Sequence, residues 1–233
     1  MKDKILITGG TSGLGKALAL QYLAQGARVG IVDRTQADLA ALTQAHPGLL
    51  TFQADIGDKN AIYPLAGAVE SRLGSPDLLI NAASTLGPTP MPLLMDTACE
   101  DLAAVLETNL IGPFRLIKAL APGMLLRGAG AVVNISSDAA INAYPGWGAY
   151  SVSKAALDHL TRIFAAELAE QGLHFLAVDP GDMATPMHFA AVPDADATQL
   201  KDPAEAAGAL IRLIAESVQA HQAPNVEHVR RAL

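Results

Sequence analysis

Residues 4–17 have the sequence KILITGGTSGLGKA, and this stretch decides the fold. It begins with a short apolar run typical of a strand and continues into a glycine-rich loop at residues 8–15. Leu14, Leu18 and Tyr22 then recur every four residues, which predicts a helix that begins inside the loop. A strand, a glycine-rich turn and a helix in this order aim backbone N–H groups at one point, where the helix dipole favours an anion. The opening of the chain therefore predicts a βα unit with an anion-binding loop.

The same alternation continues along the chain. Segments of helical spacing, the clearest being residues 157–168, lie between apolar runs. The further apolar runs are at residues 28–33, 49–53, 77–81, 130–136 and 173–179. This order predicts right-handed βαβ crossovers, and hence an α/β fold with a Rossmann-like, doubly wound parallel sheet. Since no linker or repeat divides the chain, we expect a single domain over residues 1–233.

Two long stretches without a clear period follow directly after strands, at residues 85–98 and 181–202. Ligands of open parallel sheets bind outside the carboxyl ends of the strands, so both stretches are candidate walls of a cleft. We expect residues 181–202 to form a substrate lid; ordinary surface loops are the alternative.

Composition narrows the possible functions. The chain has 233 residues, 51% of them hydrophobic and 17% charged, with a net charge of −7. Few charges with many apolar residues favour a parallel sheet covered on both faces. The acidic balance, without a block of Lys or Arg, argues against nucleic acid or an anionic membrane as a partner. A single Cys99 and six scattered histidines predict neither disulfides nor a metal site. Because no signal-peptide pattern is evident, we expect a cytoplasmic protein.

Two kinds of nucleotide site fit the glycine loop. Residues 10–16 match GxxxxGK, but Ala17 follows where an NTPase loop needs a hydroxyl to hold magnesium. A dinucleotide site requires an acidic residue about 20 positions on, at the end of the second strand, and Asp33 lies there. We therefore predict that the loop binds a dinucleotide, and the cofactor-contacting residues of this loop are Gly9, Thr11, Ser12, Gly13, Leu14 and Gly15.

Asp33 and Arg34 bear on which dinucleotide binds. A carboxylate at position 33 accepts hydrogen bonds from the ribose hydroxyls and repels a 2′-phosphate by about 4 kcal/mol at 4 Å. Arg34 acts in the opposite direction, because it can pair with that phosphate. We predict NAD, with NADP as the alternative. Asp55 and Ile56 follow the third strand and are placed to meet the adenine; helix capping is the other interpretation for Asp55.

Three residues in the second half suggest the chemistry. Tyr150 and Lys154 lie four positions apart and share a helix face, and Ser137 ends a strand. A lysine beside a phenol favours the phenolate, so we expect Lys154 to lower the pKa of Tyr150 by about three units, into the range of efficient acid–base catalysis. Ser137 can hold a carbonyl oxygen.

At this point the chain resembles the short-chain dehydrogenase/reductase family. The matching motifs are TGGTSGLG at residues 8–15, INAAS at 80–84, NLIG at 109–112, Ser137, YSVSK at 150–154 and DPG at 179–181. The resemblance implies reversible hydride transfer between a nicotinamide and a carbonyl or alcohol carbon. It makes Tyr150 the general acid/base, Ser137 the group that polarises the substrate oxygen, and Lys154 a partner of Tyr150 and of the nicotinamide ribose.

The resemblance also assigns residues that the spacing alone does not. It implies that Asn109 holds a proton-relay water, and that Pro180, Gly181 and Thr185 contact the nicotinamide carboxamide. Asn81 and Ala82 would lie beside the cofactor. Other interpretations stay open: a helix-bending polar residue for Asn109, a helix cap for Thr185 and strand-end support for Asn81.

The chain departs from the family pattern in two places. Members often have glycine where this chain has Ser84, so a side chain is added beside the cofactor. Many members end with a strand and a glycine-rich turn, whereas no glycine follows Gly208 here, which leaves a seventh strand and a tetramer interface open. We expect a homodimer or homotetramer, with the stripe of Leu157, Leu160 and Phe164 as a dimer surface or as packing on the sheet.

Two alternative functions and the substrate complete the predictions. A dinucleotide-binding redox sensor without turnover is one alternative, although it has no need of a tuned phenol. An NADPH-dependent carbonyl reductase resembling the pterin reductases is the other. We expect a small, mainly apolar substrate, with His188 as either a polar contact or a solvated loop residue. The expected pocket residues are Leu86, Met91, Ala143, Tyr144, Trp147, Met183, Met187, Phe189 and Val192.

Overall fold

The computed structural model describes residues 3–220 and 231–232. The strands are β1 Lys4–Thr8, β2 Arg28–Asp33, β3 Leu50–Gln53, β4 Leu78–Asn81, β5 Gly130–Ile135, β6 Leu173–Asp179 and β7 Arg231–Ala232. The α-helices are α1 Gly13–Ala24, α2 Gln36–Ala45, α3 Lys59–Arg72, α4 Cys99–Leu106, α5 Gly112–Arg127, α6 Gly148–Leu168, α7 Pro186–Ala191 and α8 Pro203–Ala220. A π-helical segment, Glu107–Ile111, joins α4 to α5.

One parallel sheet in the order β3-β2-β1-β4-β5-β6-β7 runs through the molecule, with crossovers on both sides of β1. This confirms the doubly wound α/β fold. The six apolar runs are all strands, and three of them match their sequence-predicted bounds residue for residue. Successive side chains of a strand point to opposite faces of the sheet, and helices cover both faces, so the central strands β1, β4 and β5 are buried except at their first residues, Lys4 and Gly130.

The core has two layers. On one face Leu14, Leu18 and Tyr22 of α1 pack with α8 against Ile5 and Ile7. On the other face α3, α5 and α6 cover the opposite side chains of the same strands, such as Leu6 and Leu79. These layers hold the carboxyl ends of β1, β4, β5 and β6 at one edge of the sheet.

A seventh strand is present. Arg231 and Ala232 pair in parallel with Val178 and Asp179 at the end of β6. The open question of the C-terminal edge is answered to this extent, while residues 221–230 and Leu233 lie outside the described residues. Over residues 3–220, no helix is long and apolar enough to span a bilayer. The same part of the chain holds no cluster of His, Cys, Asp and Glu suited to a metal ion.

Candidate active site

A cavity of about 530 Å³ lies at the carboxyl edge of the sheet. It extends from the glycine loop to the start of α6 and collects nearly every residue predicted from the sequence. Of those residues, the ones that line it are Gly9, Thr11, Ser12, Gly13, Leu14, Gly15, Asp33, Arg34, Asp55, Ile56, Ala82, Ser137, Tyr150, Lys154, Pro180, Gly181 and Thr185. Asn81 and Asn109 do not line it.

The glycine loop is built from close backbone contacts. Gly9 has φ +68° and Gly13 φ +49°, the left-handed region that favours glycine. A Cβ on Gly15 would collide with the carbonyl oxygen of Gly9, so the first turn of α1 packs directly on the loop. The resulting cradle exposes main-chain N–H groups at the helix N-terminus, a fit for the diphosphate of a dinucleotide.

Asp33, at the end of β2, lies beside the glycine loop and lines the same cavity. Asp33 accepts a 2.6 Å hydrogen bond from the Thr11 hydroxyl and a 2.7 Å bond from the Arg34 N–H. A guanidinium nitrogen of Arg34 lies 3.9 Å from Asp55, and both side chains are largely exposed. Asp55 also accepts a bond from the Gly57 N–H at 2.8 Å, closing a turn. Asp33 is therefore fixed facing the cavity, with Arg34 drawn toward Asp55.

Ser137, Tyr150 and Lys154 converge at the far end. Ser137 caps a short 3₁₀ turn, accepting a bond from the Ala139 N–H at 3.2 Å, and it is hydrogen-bonded to Tyr150. The Nζ of Lys154 is 5.4 Å from the centre of the Tyr150 ring. It donates a 2.7 Å bond to the Ile135 carbonyl. The three side chains thus share one end of the cavity, with strand β5 fixing Ser137 and α6 fixing the other two.

The expected direction of the Tyr150 pKa is wrong for this structure. Burial raises the pKa of Tyr150 to about 12; the hydrogen bond with Ser137 partly offsets this, and the carboxylates of Asp179, Asp138 and Asp182 add to the rise. Burial also lowers the pKa of Lys154 to about 8, although nearby Asp158 opposes the change. The reason is desolvation: both side chains are buried, which disfavours the phenolate of Tyr150 and the ammonium of Lys154.

Asn109 joins two walls of the site from outside the cavity. Its amide oxygen accepts from the Thr85 N–H at 2.8 Å, and its amide nitrogen donates to the Thr85 carbonyl at 2.8 Å and to the Ser153 hydroxyl at 3.0 Å. It lies in the π-helical segment and is buried. The side chain therefore ties the loop after β4 to α6, and its relay role stays a prediction.

Asn81 supports the sheet. It donates a 2.8 Å bond to the side-chain oxygen of Asn134, which in turn donates to the Thr161 hydroxyl at 2.8 Å. This is the strand-end contact that the sequence left open. Ala82 and the two residues after it line the cavity, and a role for Ala82 beside the cofactor stays a prediction.

The segment after β6 folds over the cavity. Gly181 has φ +75° and its N–H donates to Asp179 at 2.9 Å. Thr185 accepts a bond from the His188 N–H at 3.2 Å, which is the capping contact that the sequence left open as an alternative, and it lies on the cavity wall as well. His188 is no solvated loop residue, because its side chain is only 15% exposed.

The apolar pocket is smaller than expected. Leu86, Trp147, Met183, Met187 and His188 line the cavity, and Met91 lines a second one beside Trp147. Four residues that we expected line neither cavity and are exposed instead: Ala143, Tyr144, Phe189 and Val192.

Sequence reasoning also missed polar cavity residues. Ser136, Asp138, Asp179 and Asp182 line the cavity, as does Ser84, which the sequence had already placed beside the cofactor. Each of the first four directly follows a strand or neighbours a predicted residue, and that position at a strand's carboxyl end is the signal that could have identified them.

Together, the glycine cradle, the carboxylate at the end of β2 and the tyrosine–lysine pair define a dinucleotide-dependent oxidoreductase. The residues fit a nicotinamide dinucleotide, which when bound supplies or accepts the hydride. Residues 3–196 match the family described as short chain dehydrogenase. The chain belongs to the short-chain dehydrogenase family and is an NAD(P)-dependent oxidoreductase acting on carbonyl and alcohol groups.

Individual relatives agree with this assignment. The 2-(R)-hydroxypropyl-CoM dehydrogenase of Xanthobacter autotrophicus is 35% identical over 192 residues, which cover 80% of this chain and 77% of that protein. A short-chain dehydrogenase structure from Streptomyces avermitilis has a TM-score of 0.83 and 33% identity, covering 100% of this chain and 88% of that one. An actinorhodin polyketide ketoreductase with NADPH has a TM-score of 0.84 and 29% identity, with coverages of 94% and 92%.

Proposed function

We propose that this protein interconverts a ketone and a secondary alcohol on a small, mainly apolar substrate, with Tyr150 as the general acid/base. The observation that carries the proposal is the single cavity in which the glycine cradle and the Ser137–Tyr150–Lys154 group lie at opposite ends. A dinucleotide held by the cradle at one end brings its nicotinamide to the tyrosine at the other. A substrate then has to lie between that ring and the phenol.

The side chains divide the work as follows. Ser137 holds the substrate oxygen by a hydrogen bond. Tyr150, protonated at neutral pH because its pKa is about 12, donates its proton to that oxygen during reduction and takes it back during oxidation. Lys154 places a positive charge beneath the phenol and stabilises the anion left after proton donation. Asn109, through Thr85 and Ser153, is a positioning residue.

NAD is the proposed cofactor, rather than NADP. Asp33 is held in place by Thr11, and an immobile carboxylate there repels a 2′-phosphate. Arg34 favours the alternative, since its exposed guanidinium is within reach of the same region. The NADPH bound to the polyketide ketoreductase structure makes the comparison of the two cofactors the natural first measurement.

The substrate end of the cavity supports an uncharged compound. Leu86, Trp147, Met183 and Met187 form its apolar lining. Lys201 lies at the foot of the lid, with its Nζ 3.3 Å from the Pro180 carbonyl, and does not line the cavity. The lid therefore adds no lysine or arginine to this end of the cavity, and a carboxylate or phosphate on the substrate would face Asp138 and Asp182.

Absorbance at 340 nm tests the proposal directly. NADH or NADPH is mixed with a panel of apolar ketones, and NAD or NADP with the matching secondary alcohols. We expect turnover with at least one ketone, lost in Tyr150→Phe although that variant still binds the cofactor. Full activity in the variant, or cofactor binding without turnover on the whole panel, refutes the proposal; the second result favours the sensor.

Lid, assembly and location are further parts of the proposal. Residues 181–202 act as the lid, supported by the bridge between Met183 and Lys201 that closes the base of this loop. A homodimer or homotetramer is supported by exposed Phe114, Val152 and Ile163 on α5 and α6, whereas Leu157 is buried on the sheet.

A cytoplasmic location, without nucleic acid or membrane as a partner, is supported by the acidic balance and the single Cys99.

A further inference from the structure

A second cavity, of about 430 Å³, adjoins the candidate active site. Trp147 and Ala191 line both cavities, so the two share a wall at the substrate end of the first one. A cavity of this size lies within the range of small-molecule sites, about 300–1,000 Å³. The chemistry proposed above does not use it, because the dinucleotide and the reacting carbonyl both lie in the first cavity.

The shared wall lies next to the phenol of Tyr150. The ring centre of Trp147 is 5.8 Å from that of Tyr150, with the ring planes at 70°. Met91 lines only the second cavity, and Met187 lines only the first. Both methionines pack, together with Trp147 and Ala191, against one buried apolar cluster that contains Tyr150. Apolar contacts therefore continue from the reacting end of the first cavity into the second.

The lining of the second cavity suits an uncharged apolar chain. Among the described residues that line it, none carries a charge, and the polar side-chain groups are the Thr89 hydroxyl and the Trp147 indole N–H. Three separate segments each contribute a proline: the loop after β4, the loop before α6 and the chain after α7. These residues are Pro90, Pro145 and Pro193. Because proline restricts the backbone, the walls are largely formed before a ligand binds.

Contacts with Tyr144 hold Trp147 in place. The two rings lie edge to face with their centres 6.4 Å apart, and the backbone N–H of Trp147 donates to the Tyr144 carbonyl at 3.2 Å. The Tyr144 hydroxyl in turn donates a 2.6 Å bond to Asp138. The wall that the two cavities share is therefore fixed by contacts within the protein, as expected of a preorganised binding site.

We propose that the second cavity binds an unbranched apolar chain attached to the reacting carbon of the substrate. This rests on the proposed function, since the chain belongs to the same ketone or secondary alcohol. The substrate class is therefore a ketone or secondary alcohol with one short and one long apolar substituent. The short substituent stays beside Tyr150, and the long one passes Trp147 and Ala191. The cofactor is the wrong occupant, because an uncharged lining gives its diphosphate no cationic partner.

The test combines turnover and binding in a series of unbranched methyl ketones, from butanone to a nonanone. In the unchanged protein, kcat/KM should rise about three- to fourfold for each added methylene until the cavity is filled, the value of burying one CH₂ group. Trp147 is the only tryptophan of the chain, so its fluorescence reports ketone binding without turnover when the oxidised cofactor is present. The dissociation constant should fall with chain length in the same way.

Bulk placed in the second cavity should remove this gain. Ala190 and Thr89 are exposed and line only that cavity, on two separate segments. In Ala190→Phe and in Thr89→Phe, the ratio of kcat/KM for the nonanone to that for butanone should fall by at least about tenfold. Ala41→Phe is the matched control, because Ala41 is also an exposed helical alanine but lines neither cavity. It should keep the ratio of the unchanged protein.

The outcomes separate the two proposals. Turnover that does not depend on chain length, or a gain that survives in both cavity variants, overturns this inference and leaves the proposed function intact. An equal loss in Ala41→Phe also overturns it. Binding that follows chain length without turnover of any ketone overturns the proposed function and supports the second cavity as a site for an apolar chain. If the protein neither binds nor reduces any ketone of the series, both proposals fall.

Discussion

The ammonium group of Lys154 donates a 2.7 Å hydrogen bond to the backbone carbonyl of Ile135, on the neighbouring strand β5. The lysine is buried, with its helix neighbour Asp158 buried one turn away. Strand β5 thus fixes Ser137 with its own backbone and Lys154 through its carbonyl. One strand therefore sets the positions of Ser137 and Lys154, the two partners of the candidate proton donor Tyr150. Because the ammonium group of Lys154 is buried, it also affects how the stability of the protein changes with pH.

Stability should rise with pH because of Lys154. Its pKa is about 8 in the folded protein and near 10.5 when unfolded, so between these values the unfolded state binds more protons. The free energy of unfolding therefore increases with pH across this window, at most by about 1.4 kcal/mol per unit. Tyr150 acts oppositely only above pH 10, because its folded pKa is raised to about 12.

Urea unfolding from pH 7.5 to 9.5 measures this slope. In Lys154→Met the rise attributable to the lysine should vanish, so the difference in unfolding free energy between the two proteins must change with pH. A difference that stays constant from pH 7.5 to 9.5 would show that burial does not lower the pKa of Lys154.

Cofactor choice should follow Asp33. Replacing it in Asp33→Asn removes the charge that repels a 2′-phosphate and leaves Arg34 to attract it. We expect the ratio of kcat/KM for NADPH to that for NADH to rise about 10- to 100-fold, part of the full repulsion of about 4 kcal/mol. Glu70→Gln on the outer face of α3 is the charge control and should leave the ratio unchanged. An unaltered ratio in Asp33→Asn would remove Asp33 from cofactor selection.

The glycine loop should not tolerate a methyl group at position 15. A Cβ there meets the Gly9 carbonyl, and backbone atoms on both sides cannot move aside. Gly15→Ala should destabilise the protein by about 1–3 kcal/mol and weaken cofactor binding more than tenfold. Gly67→Ala is the control: nothing lies within 4 Å of its Cβ, and a helical alanine should stabilise the protein by up to about 1 kcal/mol. Thermal unfolding measures the change in stability, and cofactor titration measures the change in affinity.

Replacing Asn109 should lower both the stability and the activity of the protein, although Asn109 does not line the cavity. Asn109→Ala leaves the Thr85 N–H and carbonyl without their buried partner, with an expected loss of about 2–4 kcal/mol. We also expect kcat to fall, since the loop after β4 loses its tie to α6. Ser153→Ala removes only the third bond and should cost about 1 kcal/mol. Equal losses in the two variants, measured by urea unfolding, would contradict the bridging role.

The lid should depend on the cap at Thr185. Thr185→Val keeps the shape but loses the acceptor for the His188 N–H, which should loosen the short helix α7 by about 1 kcal/mol and raise the KM for the cofactor several-fold. Thr185→Ser retains the acceptor and should remain near the unchanged protein. Steady-state kinetics on the three proteins provide the comparison.

Periodicity was enough for the fold, whereas part of the cavity wall, including Ala82, Pro180, Gly181 and Thr185, was predicted only through the family resemblance. The runs at residues 4–8, 28–33 and 173–179 are β1, β2 and β6 without adjustment, since buried parallel strands have unbroken apolar sequences. Asp33 and the glycine loop were found because their spacing is fixed within one βαβ unit. Asn81 and His188 were less certain, because whether a polar side chain faces a neighbour or a cavity depends on contacts distant in sequence.

The sequence by itself determined the doubly wound sheet, the anion-binding loop, and the presence of Ser137, Tyr150 and Lys154 in one site, since each follows from local spacing. Only the tertiary structure decided the protonation of that site. Burial raises the pKa of Tyr150, three nearby carboxylates add to that rise, and burial lowers the pKa of Lys154. Desolvation and electrostatics sum over neighbours in space, and a linear pattern does not contain them.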